Sequence, residues 1–205
     1  MSEVNIDAEL VKNNDIALKR TEEKVVEMSN GCICCTLRED LLTEISRLAD
    51  EGKYDGILIE SSGISEPLPV AETFTFTDEN GFTLNDKARL DTLVTVIDSR
   101  HFLSQFGSTE TLSDKNIGIS REDHRALVHL LIDQIEFANI ILLSKTDITP
   151  KQEVAHIREI IEKLNPGAEI YEIQNGNIPL NTIFNTGLFQ MEEAAKNPGW
   201  LRELR

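Results

Sequence analysis

Asn139-Ile140-Ile141-Leu142-Leu143 runs without a break into Ser144-Lys145-Thr146-Asp147. Four of the first five residues are aliphatic, and the next four are polar. A short, continuously apolar run that ends in a polar loop reads as a strand buried on both faces. Asp55-Gly56-Ile57-Leu58-Ile59-Glu60 and Asp91-Thr92-Leu93-Val94-Thr95-Val96-Ile97-Asp98 have the same character, and each ends on a carboxylate. Ala168 to Ile173 is a fourth candidate. Helical stretches separate these runs. Leu37, Leu41, Leu42, Ile45, Leu48 and Ala49 form a one-sided stripe that Gly52 closes. Arg121 to Phe137 is a second helix. Pro150 to Leu164 is a third, opened by Thr149-Pro150 and stopped by Asn165-Pro166-Gly167. Apolar strands alternating with helices predict an α/β fold, a mostly parallel sheet with helices on both faces. Ligands of such sheets bind at the carboxyl ends of the strands. The loops after Glu60 and Leu143 lie at those ends.

The rest of the chain is less regular. Thr73 to Asp91 and Phe106 to Ser120 are polar inserts and read as surface loops. Residues 1–30 are polar, with a weak strand tendency from Thr21 to Met28. Beyond Asn185, Gly187-Leu188-Phe189 and Asn197-Pro198-Gly199-Trp200-Leu201 read as a tail, with Trp200 a docking anchor rather than a ligand contact.

All three cysteines fall within Gly31-Cys32-Ile33-Cys34-Cys35. So few thiols exclude a disulfide framework. Thiolates suit Zn²⁺ and other soft ions. C-x-C-C supplies two or three sulfurs and leaves a position for another ligand, which suits transfer of an ion better than a permanent structural role. Redox chemistry and inert packing are the competing readings. The context favours metal: Asn30-Gly31 is a turn signal, and Thr36 is a good N-cap. The cysteines thus sit where a loop enters a helix, and the helix dipole lowers thiol pKa there.

The net charge of −16 disfavours nucleic acid and anionic membrane as partners, since both require a basic footprint. No run approaches the ~18 apolar residues of a membrane span. The N-terminus is acidic and polar, unlike a signal peptide. With reduced thiols, this predicts a cytoplasmic protein.

Two loops carry further chemistry. Ser144-Lys145-Thr146-Asp147 resembles the N-K-x-D guanine-specificity loop of GTPases, with Ser144 in place of Asn. Asp147 would accept hydrogen bonds from guanine N1–H and the exocyclic amine, a donor pair that adenine lacks. The Lys145 stem would cover the base face. Ile57-Leu58-Ile59-Glu60-Ser61-Ser62-Gly63 resembles a Walker-B strand entering a switch loop. Glu60 would orient Mg²⁺ or its water, and the Gly63 amide would meet the terminal phosphate. His101, His124, His129 and His156 are scattered and read as satisfied surface histidines. No G-x-x-x-x-G-K-[ST] occurs. Without that cradle the sequence is expected to bind GTP poorly.

The segments G-C-I-C-C-T-L-R-E-D-L, I-L-I-E-S-S-G-I-S-E-P, R-L-D-T-L-V-T-V-I-D and L-L-S-K-T-D occur in that order. Together they resemble the CobW family of metal-handling GTPases. The resemblance implies a P-loop GTPase domain of the SIMIBI-like class, here over residues 1–184 without its first strand, P-loop and first helix. Residues 185–205 would lead toward a C-terminal domain. It also implies Ser or Thr as an accepted residue at position 144. Met1-Ser2-Glu3-Val4-Asn5-Ile6-Asp7 resembles the family's switch segment, which makes Glu3 a metal ligand beside Cys32, Cys34 and Cys35. The implied function is a GTP-dependent chaperone or insertase for zinc or a related divalent ion such as Co²⁺. Its cofactors would be GTP and Mg²⁺, its partner a client metalloprotein, and a homodimer is compatible with it. GTP hydrolysis would belong to the full-length form. The alternatives are a nucleotide-independent metal-binding or storage module and, third, a thiol oxidoreductase. Loss of a central strand would leave apolar sheet edges open and make the isolated chain marginal, dimeric or strand-swapped, or dependent on the absent segment being supplied in some form.

Overall fold

The computed structural model describes residues 35–61, 63, 65–75, 81, 83–108, 111, 114 and 126–194. Three parallel strands form one sheet in the order β1 (Val94–Asp98), β2 (Ile140–Ser144) and β3 (Glu169–Glu172). The register pairs Val94 with Ile140 and Asp98 with Ser144 on one side of β2, and Ile140 with Glu169 on the other. Ile140 to Leu143 are all buried, as a central parallel strand requires.

Six helices are described: α1 (Cys35–Glu51), α2 (Pro67–Thr73), α3 (Phe102–Phe106), α4 (Leu127–Glu136), α5 (Lys151–Leu164) and α6 (Met191–Ala194). Because side chains alternate along a strand, β2 divides its apolar residues between two layers. Ile141 and Leu143 join Ile97, Phe102, Ile135 and the Val154, Ile157 and Ile161 stripe of α5. Ile140 and Leu142 pack with Ile173, and Ile178, Ile183 and Leu188 close over them. The parallel α/β architecture read from the sequence is the one observed.

Asn165 ends α5 and also secures α4. Its Nδ2 lies 2.8 Å from the carbonyl oxygens of Ile135 and Ala138 and 3.3 Å from that of Glu136. These carbonyls lie at the end of α4 or just beyond it, where the helix's own i to i+4 ladder runs out. Gly52, at φ +62°, supplies the left-handed residue that stops α1.

The differences from the sequence reading lie at the margins. Helix α4 begins at Leu127 among the described residues. Pro150 is the N-cap of α5 rather than its first turn, and the Thr149 hydroxyl donates to Lys145 O instead of capping the helix. Residues 67–73, to which the sequence reading assigned no helix, form α2, with Pro67 in its first turn where a missing N–H costs nothing. Ile57 to Glu60 is not a strand and has no ladder partner among the described residues. Ile57 and Ile59 pack toward Leu41, Ile45, Phe74 and Leu84, whereas Leu58 is 68 % exposed. A strand is completed by a neighbour's hydrogen bonds, and its own apolar pattern does not supply one.

Beyond the sheet, Thr186 and Gly187 each donate a backbone N–H to the Asp91 carboxylate, at 2.9 and 2.8 Å. Phe189 is buried against Leu68 and Ala71 of α2. Trp200, Thr21 to Met28 and most of Phe106 to Ser120 lie outside the described residues.

Candidate functional site

The register that pairs Asp98 with Ser144 brings the C-terminal ends of β1 and β2 together. Asp98 Oδ2 accepts a hydrogen bond from Lys145 Nζ at 2.7 Å and lies 2.9 Å from His101 Nδ1. Asp98 Oδ1 accepts the Arg100 N–H at 2.9 Å. Partial burial would raise the pKa of this carboxyl. The Lys145 hydrogen bond, the His101 ring, the Arg100 amide and the Lys145 charge together outweigh burial and hold it at about 2.

The loop after β2 has a defined backbone. Lys145 sits at φ 59°, in the left-handed region that a non-glycine residue rarely occupies. Its carbonyl accepts the Thr149 hydroxyl at 2.8 Å and the Ile148 N–H at 3.2 Å, which hold the turn. The Ser144 hydroxyl donates to Ile97 O at 3.0 Å, so this residue tethers β2 to β1. Asp147 is exposed and makes no hydrogen bond among the described residues. A buried strand, a fixed turn and a free carboxylate just beyond it can present an acceptor to a ligand at the sheet's carboxyl edge.

Glu60 is exposed and likewise has no hydrogen bond among the described residues. Gly63 is exposed, and the space where a Cβ would sit is open. Gly63 is tied to the sheet's helical layer, because Gln134 Nε2 of α4 donates to Gly63 O at 3.0 Å and to Ser65 O at 3.1 Å. A cavity of about 170 Å³ borders Gly63, Val96, Asp98, Gln105 and Gln134.

Cys32, Cys34 and Glu3 lie outside the described residues. Cys35 is the first residue of α1, so the helix starts within the cysteine cluster and Thr36 is inside it. Among the described residues no group of three His, Cys, Asp or Glu is arranged to hold a metal. His129 and His156 are exposed, His101 meets Asp98, and His124 is outside the described residues.

Sequence reasoning missed Asp98 and Gln134 as site residues. Asp98 carried a signal, a carboxylate closing a buried strand. Gln134 carried none, because its partners are about 70 positions away.

A parallel sheet with its loops gathered at one carboxyl edge, one of them of guanine-loop form, defines a P-loop GTPase-like α/β domain. The model of the family described as "CobW/HypB/UreG, nucleotide-binding domain" matches residues 1–172, and the chain belongs to that family. A Dictyostelium discoideum protein named zinc-regulated GTPase metalloprotein activator 1 is 50% identical to it, over 100% of this chain and 45% of the relative. The zinc chaperone CobW of Pseudomonas aeruginosa is 30% identical, over 88% of this chain and 49% of the relative. The chain therefore spans about half the length of these relatives. The crystal structure of the Zn(II)-bound YjiA GTPase from E. coli superposes with a TM-score of 0.53 at 27% identity, covering 74% of this chain and 41% of that one. A Zn(II)-bound YjiA triple mutant, with one glutamate and two adjacent cysteines replaced by alanine, superposes with a TM-score of 0.52 at 26% identity.

Proposed function

We propose that this chain is the guanine-reading and metal-presenting portion of a GTP-dependent zinc chaperone. The observation that carries the reading is the loop after β2, with a left-handed Lys145, a tethered Ser144 and an unengaged Asp147. The printed names of the relatives, zinc chaperone and zinc-regulated GTPase metalloprotein activator, support it.

In this reading Asp147 accepts the two guanine donors. Asp98 anchors the Lys145 ammonium, which leaves the aliphatic stem to lie against the base. Ser144 keeps the loop at the end of β2. The free Glu60 carboxylate fits the orientation of Mg²⁺ or its water, and the open space at Gly63 fits close approach by a terminal phosphate. Mg²⁺, when bound, supplies charge neutralisation at the phosphates.

Zinc is the cargo. Cys32, Cys34, Cys35 and Glu3 are the proposed ligands, and Co²⁺ would be accepted by the same set. The adjacent Cys34 and Cys35 parallel the cysteine pair replaced in the YjiA mutant. A client metalloprotein would receive the ion. No described helix is long and apolar enough to cross a membrane, and the net charge of −16 fits a partner other than nucleic acid. Reduced thiols favour a cytoplasmic setting.

Two titrations test the proposal. Asp147→Asn in the full-length protein should move base preference from guanine toward xanthine. Unchanged preference removes the guanine-loop assignment. Zinc affinity with and without a GTP analogue should differ, and by linkage zinc should alter nucleotide affinity by the same factor. Equal affinities would leave a metal-binding module independent of nucleotide.

A further inference from the structure

The carboxylate oxygen that holds Lys145 also holds a second group. Asp98 Oδ2 accepts from Lys145 Nζ at 2.7 Å and lies 2.9 Å from His101 Nδ1, while Asp98 Oδ1 takes the Arg100 N–H. An ionised carboxylate only accepts, so Nδ1 of the neutral ring carries the proton and Nε2 keeps a lone pair. The His101 side chain is 61% exposed, and Nε2 has no hydrogen bond among the described residues. The ring is firmly mounted. The His101 N–H donates to Asp98 O at 3.2 Å, and the His101 carbonyl accepts the Ser104 hydroxyl at 2.7 Å and the Gln105 N–H at 3.1 Å. Phe102, the next residue, is buried in the core and seats α3 there. Nε2 is therefore an open acceptor in a defined place, beyond the carboxyl end of β1.

The base-reading loop says what lies near that acceptor. With Asp147 at the N1–H and amine edge of guanine, the Lys145 stem runs under the purine away from that edge. A lysine stem is about as long as a purine is wide. Its ammonium therefore ends beneath the opposite side of the ring system, where the sugar is attached. Asp98 holds that ammonium, and His101 shares the same oxygen. The Asp98–His101 pair thus stands at the sugar, whose hydroxyls are hydrogen-bond donors. Both Asp98 oxygens are already engaged, whereas His101 Nε2 is open.

We propose that His101 reads the sugar of the nucleotide: its Nε2 accepts a hydrogen bond from a ribose hydroxyl, so the site prefers a sugar with both hydroxyls present. This inference rests on the guanine-nucleotide reading above and deepens it. Asp147 selects the base and His101 selects the sugar. Asp98 positions both readers, through the Lys145 ammonium on one side and Nδ1 on the other. The preference for the intact ribose is then independent of the preference for guanine, because different atoms on different strand ends supply them.

The test uses GDP, 2′-deoxy-GDP and 3′-deoxy-GDP with the full-length protein and its His101→Asn variant. The asparagine amide nitrogen replaces Nδ1 and keeps the Asp98 contact, but nothing replaces Nε2. In the wild type, loss of one of the two hydroxyls should weaken binding about fivefold, the yield of one neutral hydrogen bond. In His101→Asn that difference should vanish, because GDP binds as weakly as the deoxy form. A merely structural role for His101 would weaken all three nucleotides equally. A wild type that binds both deoxy forms as tightly as GDP, or a variant that keeps the difference, overturns the proposal. A second measurement needs no nucleotide. At pH about 8, where imidazoles are neutral, the ring-nitrogen NMR shifts of His101 should report the Nδ1–H tautomer. The Nε2–H tautomer would remove the acceptor and the proposal with it. Asp147→Asn run in parallel separates the two ideas. If it shifts base preference while His101→Asn keeps the hydroxyl discrimination, only the His101 role fails. If it leaves base preference unchanged, the guanine-loop assignment fails, and the sugar assignment built on it fails too.

Discussion

At the scale of single residues, Asp98 joins the two strand ends that carry the site. Its carboxylate meets one ammonium, one imidazole and one backbone amide, and its pKa is held at about 2 against an ordinary value of 3.8. A folded value below the unfolded one means that ionised Asp98 stabilises the native state. That contribution is complete above the unfolded value near 4 and is lost as pH falls through the folded value near 2. Thermal melts between those pH values should show a steeper loss of stability for the wild type than for Asp98→Asn. Parallel curves would show that Asp98 does not link folding to protons. The neighbouring Ser99 is an opposite case. It is 1% exposed, and its hydroxyl has no hydrogen-bond partner among the described residues. A buried hydroxyl left unsatisfied costs about 1–3 kcal/mol, so Ser99→Ala should stabilise the fold by about 1 kcal/mol. Denaturant melts showing a loss of stability instead would reveal a partner for that hydroxyl.

At the scale of elements, the helices depend on polar stitches as much as on apolar stripes. Asn165 connects the C-termini of α4 and α5, with carbonyls at and just beyond the end of α4 as its acceptors. Asn165→Leu would strip those carbonyls of a half-buried donor and should cost about 1 kcal/mol or more in urea melts. A smaller loss would mean that water replaces the amide readily. This contact also marks what the sequence could and could not reveal. Asn165-Pro166-Gly167 read correctly as a helix stop, since capping chemistry is local. The three acceptors at and just beyond the end of α4 were not legible, because they are set by how two helices pack. The same division holds elsewhere. Ile140 to Leu143 announced a central strand, because burial on both faces demands an unbroken apolar run. Ile57 to Ile59 looked similar but has no ladder among the described residues, since pairing is a property of the neighbour. Pro67 gave no sign of a helix, although a first helical turn accommodates it. In the candidate site, Ser144, Lys145 and Asp147 were legible from their place after a buried strand. Gln134 was silent, because a glutamine on a helix has no pattern until the fold brings a carbonyl to it.

At the scale of the whole molecule, the two edges of the sheet formed by the described residues are unequal. β3 alternates Glu169, Ile170, Tyr171 and Glu172, and Glu172 sits 3.5 Å from Arg158, so charge guards that edge against pairing. β1 has no charge before Asp98, and Val96 on it is 63% exposed. An uncharged, accessible strand edge is a template for another chain. Opposing this is the net charge of −16, which makes two copies repel at long range. Salt screens that repulsion, with a Debye length near 10 Å at about 0.1 M, but leaves backbone pairing largely intact. Self-association of the chain should therefore increase with ionic strength, the reverse of what an ion-paired interface would show. Val96→Lys would place a gatekeeping charge on β1 and should abolish the effect without disturbing β2, since Val96 points away from the α4 and α5 layer. Sedimentation velocity of both proteins at about 0.05 M and about 0.5 M salt reads this directly. A wild type that stays monomeric at both, or a Val96→Lys variant that associates as strongly, would show that the β1 edge does not recruit a second copy.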